Sequence, residues 1–149
     1  MTTERALAKE LRELEAKLER TKRANFDLEP VFTYYRRLRT LPRAALVERF
    51  GQHPHVGDIR GRGLFRGVEL VADRETKATF DPKLRVHAQL KKAAFEAGLI
   101  CYPMGGTIDG SRGDHVLLAP PFIVDARDIE EIVDRLGAAV DAVLEGAAG

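Results

Sequence analysis

The chain has 149 residues, 44% hydrophobic and 32% charged, a balance that suits one domain, or a small domain with an appendage, and excludes disorder along the whole length. A formal net charge of +1 supplies no global field toward nucleic acid or an anionic membrane, and a single cysteine, Cys101, excludes an internal disulfide framework. No run approaches the roughly 20 apolar residues that span a bilayer, and the N-terminus lacks the apolar core of a signal peptide. The expected setting is cytoplasmic, with neither a nucleic-acid nor a membrane partner.

Charge is unevenly spread: residues 1–50 hold 12 Lys/Arg against 8 Asp/Glu, and residues 51–149 hold 12 against 15. The first segment, 3–24, reads as a helix, with Thr2 or Thr3 as cap and no Gly or Pro inside it. Leu7, Leu11, Leu14 and Leu18 recur at coiled-coil spacing, a seam that packs on the chain's own domain or on another chain. Residues 26–41 are rich in aromatics (Phe26, Phe32, Tyr34, Tyr35) interleaved with Arg36, Arg37 and Arg39. That pattern superficially resembles a single-stranded nucleic-acid surface, but no RNA-binding signature accompanies it, and a packed amphipathic helix between Pro30 and Pro42 is the expectation.

A short helix from about Arg43 to Phe50 ends at Gly51. His53-Pro54-His55 then forms a turn before a strand, since no third ligand stands at metal-binding spacing. Gly61-Arg62-Gly63-Leu64-Phe65-Arg66-Gly67 fails as a dinucleotide fingerprint: its third glycine is one residue late and strand-like Val68-Glu69-Leu70-Val71 follows. Its glycines instead permit bends along a pair of strands.

Asp81-Pro82 starts a helix running to Ala97 and closed by Gly98, with Val86, Leu90, Ala93 and Ala97 on a buried face widened by Leu84, Ala88 and Phe95, and His87 and Lys91 on the exposed side. Two short apolar runs, Leu99–Tyr102 and Val116–Ala119, read as buried strands. Between them lies a glycine-rich loop, Pro103 to Asp114, and loops of this length in compact domains are often functional. Asp114-His115 fits a strand-entry turn, and Cys101, in an apolar run without a neighbouring cation, an inert thiol. Asp125 caps the last helix with Asp128 three residues on, and Ile129, Ile132, Val133, Leu136, Val140 and Leu144 form its apolar stripe.

This order of elements predicts an α+β fold: a small, mainly antiparallel sheet covered by helices and preceded by a helical N-terminal segment, with domains at 1–50 and 51–149. Within it, VGDIRGRGLFRGVELVADRETKATFDP, GLICYPMGGTIDGSRGDHVLLAPPFIV and DIEEIVDRL closely resemble the C-terminal small domain of class III aminotransferases, pyridoxal-phosphate enzymes of fold type I. The resemblance spans roughly His53 to Leu144; residues 1 to about 45 resemble no placeable part of that family.

The resemblance implies a small domain that closes over a cofactor and an amino-acid or amine substrate. In the family an upstream large domain supplies the Schiff-base lysine, the acid that pairs with the pyridine nitrogen and the phosphate cradle. The seven lysines here, Lys9, Lys17, Lys22, Lys77, Lys83, Lys91 and Lys92, fall in helices or polar loops, without the burial or neighbouring cation that makes an amine nucleophilic. The chain is therefore expected neither to bind pyridoxal phosphate by itself nor to turn over alone, and the implied partner is an aminotransferase large domain or a second copy.

Many family members place a carboxylate-gripping arginine where this sequence has Tyr102, and Arg112 in the glycine-rich loop is the available substitute. Tyr102 and Arg112 are the candidate substrate-binding residues; no catalytic or metal-binding residue is assigned. A reading of a different class treats the chain as an oligomerisation or protein-interaction module using the leucine seam and the aromatic segment.

Overall fold

The structure, a computed structural model, describes residues 12–17, 19–20 and 42–147. Contacts divide the chain into two units, Met1–Arg36 and Arg37–Gly149. In the first, the described residues are helical and exposed, Leu14 among them; Leu7, Leu11, Leu18 and the aromatic segment 26–41 lie outside the described residues.

The second unit opens with helix α1 (residues 42–50), then β1 (Val56–Arg62), β2 (Phe65–Leu70), a 3-10 turn (Pro82–Leu84), α2 (Val86–Glu96), β3 (Tyr102–Gly105), β4 (Asp114–Leu118) and α3 (Ala126–Ala147). Its four strands form one sheet in the order β1-β2-β4-β3, antiparallel at every pairing. The predicted α+β architecture is thus the one observed. By its contacts the second unit begins at Arg37 and takes in α1. The reason is apolar: Leu46 and Phe50 of α1 are fully buried in the core of the second unit.

Strand alternation sorts the sheet into two faces. The row Ile59, Val68, Val116 and Pro103, matched in register across all four strands, points to the helices together with Leu70 and Leu118. Against it pack Val86, Leu90 and Ala94 of α2, and Ile129, Val133, Leu136, Val140 and Leu144 of α3. The opposite face carries the rows Arg60, Gly67, Leu117, Tyr102 and Asp58, Glu69, His115, Met104. Among the described residues no helix of this unit covers it, and Phe65 and Tyr102 stand more than half exposed there.

Glycine-permitted turns set the strand ends. β1 and β2 are joined through Gly63-Leu64, and Gly63 has φ +56°, the left-handed value that a two-residue hairpin turn requires. The glycines after residue 60 therefore bend a hairpin, as their spacing suggests, and bind no pyrophosphate helix.

Two boundaries differ from the sequence reading. The Asp81-Pro82 start yields only a 3-10 turn, in which Asp81 accepts from the Lys83 N–H, and Arg85 at φ +48° separates it from α2. The run expected as a strand at Leu99–Tyr102 is mostly spent closing α2. With Gly98 at φ +78°, the Gly98 and Leu99 N–H groups bond back to the Phe95 and Ala94 carbonyls, so β3 begins only at Tyr102. At α3 the expected capping box is present: Asp125 accepts from the Arg127 and Asp128 N–H groups, and Asp128 accepts from the Asp125 N–H.

Leu136 is fully buried in the middle of the α3 stripe. Leu136→Ala is expected to cost about 2–5 kcal/mol, read as a lowered urea midpoint with an unchanged slope.

Candidate functional site: the glycine-rich loop and the ends of helix α2

The loop between β3 and β4, residues 106–113, is held by its own backbone. Thr107 N–H donates to Gly113 O, Ile108 N–H to Arg112 O and Gly110 N–H to Gly106 O, at 3.3, 3.0 and 2.9 Å. Asp109 organises its tip: one carboxylate oxygen accepts from the Ser111 and Arg112 N–H groups at 3.0 and 2.8 Å, and the other accepts from Arg112 Nε at 2.7 Å. These bonds, first from the Arg112 backbone and then from its guanidinium, hold the Asp109 carboxyl down at about 2. Arg112 is thus tethered through Nε on an exposed loop, leaving its two Nη groups as the fork that can meet a carboxylate.

Tyr102 sits at the far end of the same strand pair, opposite Leu117 on the uncovered sheet face. Three residues of strand, about 10 Å, separate it from the loop. The structure therefore places the two predicted site residues on one hairpin without bringing them together.

At the loop's base the sequence reading needs correction. His87, expected on the exposed side of α2, is half-buried and bonded to Asp114: its ring Nδ1 lies 2.7 Å, and its backbone N–H 3.2 Å, from Asp114 Oδ1. Asp114, expected in an entry turn, is the buried first residue of β4. Its carboxylate caps α2, where the N-cap residue Arg85 makes no side-chain bond of its own. Gly105 makes this possible by having no side chain, because a Cβ there would lie 2.4 Å from the His87 ring. Lys91 is exposed as expected.

The other end of α2 is held in the same manner. Arg135 of α3 donates from Nη1 to Ala97 O and Gly98 O at 3.1 and 2.8 Å and is itself paired with Glu131. Beside it opens a cavity of about 350 Å³ lined by Leu99, Pro121, Ile123, Val124, Asp128 and Ile132, among others. It lies at the opposite end of the 11-residue α2 from the glycine-rich loop, about 16 Å of helix away.

Burial pushes the Cys101 thiol up to about 11, which fits the inert cysteine expected. His115, on the uncovered face, is held below the ordinary histidine value first by burial and then by Arg60. The described lysines, Lys17, Lys77, Lys83, Lys91 and Lys92, are all exposed, and none lines the cavity at Arg135. Among the described residues there is no group of three or more His, Cys, Asp or Glu side chains able to hold a metal ion, and no helix long and apolar enough to cross a membrane.

Fold and site together define an α+β module whose helices cover one face of an antiparallel sheet and whose polar groups gather at a glycine-rich hairpin loop. The family described as aminotransferase class III matches residues 28–140, and the chain belongs to that family. The match takes in residues 28–45, which the three sequence blocks alone left unplaced. An aminotransferase of Schizosaccharomyces pombe, described as uncharacterised, is 53% identical over 91 residues, 61% of this chain and 20% of that protein. The adenosylmethionine-8-amino-7-oxononanoate aminotransferase of Nitratidesulfovibrio vulgaris is 37% identical over 120 residues, 77% of this chain and 21% of that protein. Among solved structures, an omega-aminotransferase from Paracoccus denitrificans superposes with a TM-score of 0.69 at 32% identity, covering 80% of this chain and 25% of its own. A PLP-bound aminotransferase variant from Vibrio fluvialis superposes equally well, with a TM-score of 0.69 at 31% identity and the same coverage. The chain thus spans about a fifth to a quarter of the length of the proteins it matches.

Two outcomes follow from the site geometry. Asp114→Ala leaves the His87 N–H without its acceptor and is expected to cost about 1–3 kcal/mol in urea unfolding, while Asp114→Asn, which keeps an oxygen there, costs less. In carboxyl-carbon NMR, Asp109 is expected to titrate at about 2, and in Arg112→Gln to move part-way back toward the ordinary 3.8, since the backbone bonds survive that substitution.

Proposed function

We propose that this chain is the C-terminal small domain of a pyridoxal-phosphate-dependent class III aminotransferase, acting in transamination only together with a large domain. The observation that carries the reading is the match of residues 28–140 to the family by a chain that spans only about a fifth to a quarter of its relatives. In such enzymes the cofactor would supply an electron sink and would be held by a lysine of lowered pKa.

The residues described here do not fit that cofactor. Each described lysine is exposed, with Lys77 bonded to Gly57 O and Lys92 paired with Glu96, so none has the buried setting in which an amine is activated. This chain's share of the work is to shape and close the substrate side. The Arg112 fork, aimed by Asp109, grips a substrate carboxylate, and Tyr102, in place of the family's arginine, offers a hydroxyl and a flat apolar ring at the edge of the uncovered sheet face. That face, with Phe65 and Tyr102 exposed and Leu117 between its charged rows, is the surface a large domain or a second copy covers.

Mixing the chain with pyridoxal phosphate tests the division of labour. The expected spectrum is that of free cofactor, with no adduct retained after borohydride reduction and gel filtration. A reducible adduct on one lysine, accompanied by transaminase turnover, would overturn it.

A further inference from the structure

His53 stands at the corner where α1, the entry to β1 and α3 meet. Its N–H donates to Phe50 O at the end of α1 at 3.0 Å, and its carbonyl accepts from the Val56 N–H and from Arg74 Nη1 at 3.2 and 3.4 Å. On the ring, Nδ1 accepts from the His55 N–H at 3.1 Å, and Nε2 lies 3.4 Å from Asp141 Oδ1. A backbone N–H only donates, so Nδ1 keeps its lone pair and the ring proton sits on Nε2, aimed at Asp141. His55 is fixed in the opposite sense. Its Nδ1 faces the Val71 and Ala72 carbonyl oxygens at 3.2 and 3.0 Å, so that nitrogen carries a proton whether or not the ring is charged.

We propose that His53 is a proton-sensitive latch: a second proton, taken up on Nδ1, sets two donors face to face and breaks the bond from the His55 amide, loosening the entry to β1 while the ring keeps its pairing with Asp141 of α3. The strand that this entry leads into is the sheet edge, and its pairing with β2 is already irregular between Val56 and Asp58. Four elements set charges around the ring. Asp141 comes from α3, and Arg49 from α1 shares that carboxylate; His55 comes from the β1 entry, with Asp73 near it; Arg74 comes from the loop after β2.

Burial holds the His53 ring below the ordinary 6.5; Asp141 opposes this, and His55 and Arg49 reinforce it. The folded state therefore prefers the neutral ring. As the pH falls below 6.5 the unfolded chain takes up the proton first, and folding stability declines with acid across that window.

Nitrogen NMR of the imidazoles and amide hydrogen exchange on the full chain test the latch. The expected result is the Nε2–H tautomer for His53 at pH 7.5. The protection factor of the His55 amide should then fall at least tenfold by pH 5, with the midpoint of the His53 ring. His53→Asn places an uncharged acceptor two residues before the same amide, an Asx-turn geometry, and is expected to keep that protection constant over the range. An Nδ1–H tautomer in the wild type, protection that ignores the His53 titration, or an acid loss in His53→Asn equal to that of the wild type would each overturn the proposal.

Discussion

Helix α2 lacks a side-chain cap of its own: beyond the backbone closure on Gly98, both its ends are completed by charges from other elements. Its first turn holds no acid, its last turn no base, and Arg85 makes no capping bond. The helix dipole and the orphan backbone groups at each end are answered instead by Asp114 of β4 and Arg135 of α3. Asp114 is buried, and a buried carboxylate is tolerable only when donors surround it. His87 supplies two donors, one from the backbone and one from the ring. The position of the helix, the start of β4 and the base of the glycine-rich loop are in this way one constraint. A loop of small residues keeps a fixed shape because its base is pinned to the core.

The two sheet faces then divide the labour. One is closed by α2 and α3 over a continuous apolar core, with Val68, Val116, Leu90 and Leu136 fully buried, each such side chain contributing about 1.5–3 kcal/mol on burial. The other stays open and mixed, with Arg60 within 3.5 Å of both Asp58 and Glu69 and with aromatic rings beside them. Surface ion pairs of that kind contribute little to stability. Beside them stand the exposed rings of Phe65 and Tyr102. The chemistry of an aminotransferase needs a buried, activated amine, and the contribution proposed for this module is the fork of Arg112 and the rim at Tyr102.

Much of the fold was legible from local pattern. The period of the α3 stripe, the Asp125–Asp128 capping box and the hairpin glycines all read correctly, because each depends on residues within a few positions of one another. Boundaries read less well. Leu99 and Ile100 are as apolar as a strand requires, yet the chain there is still bonded to the end of α2, and the preference for closing a helix on Gly98 outranked strand propensity.

Sequence alone determined the family, the α+β class, the antiparallel hairpins and the candidacy of Tyr102 and Arg112, since composition, periodicity and motif are carried by neighbours along the chain. Tertiary structure decided that α1 belongs to the second unit, that His87 turns inward to Asp114 and that His53 and Asp141, one before β1 and the other in α3, share a corner. Those pairings join residues far apart in the chain. Nothing local distinguishes a histidine facing solvent from one facing a carboxylate 27 positions on; only packing the helices onto the sheet selects the partner, through burial and the demand of each buried donor for an acceptor.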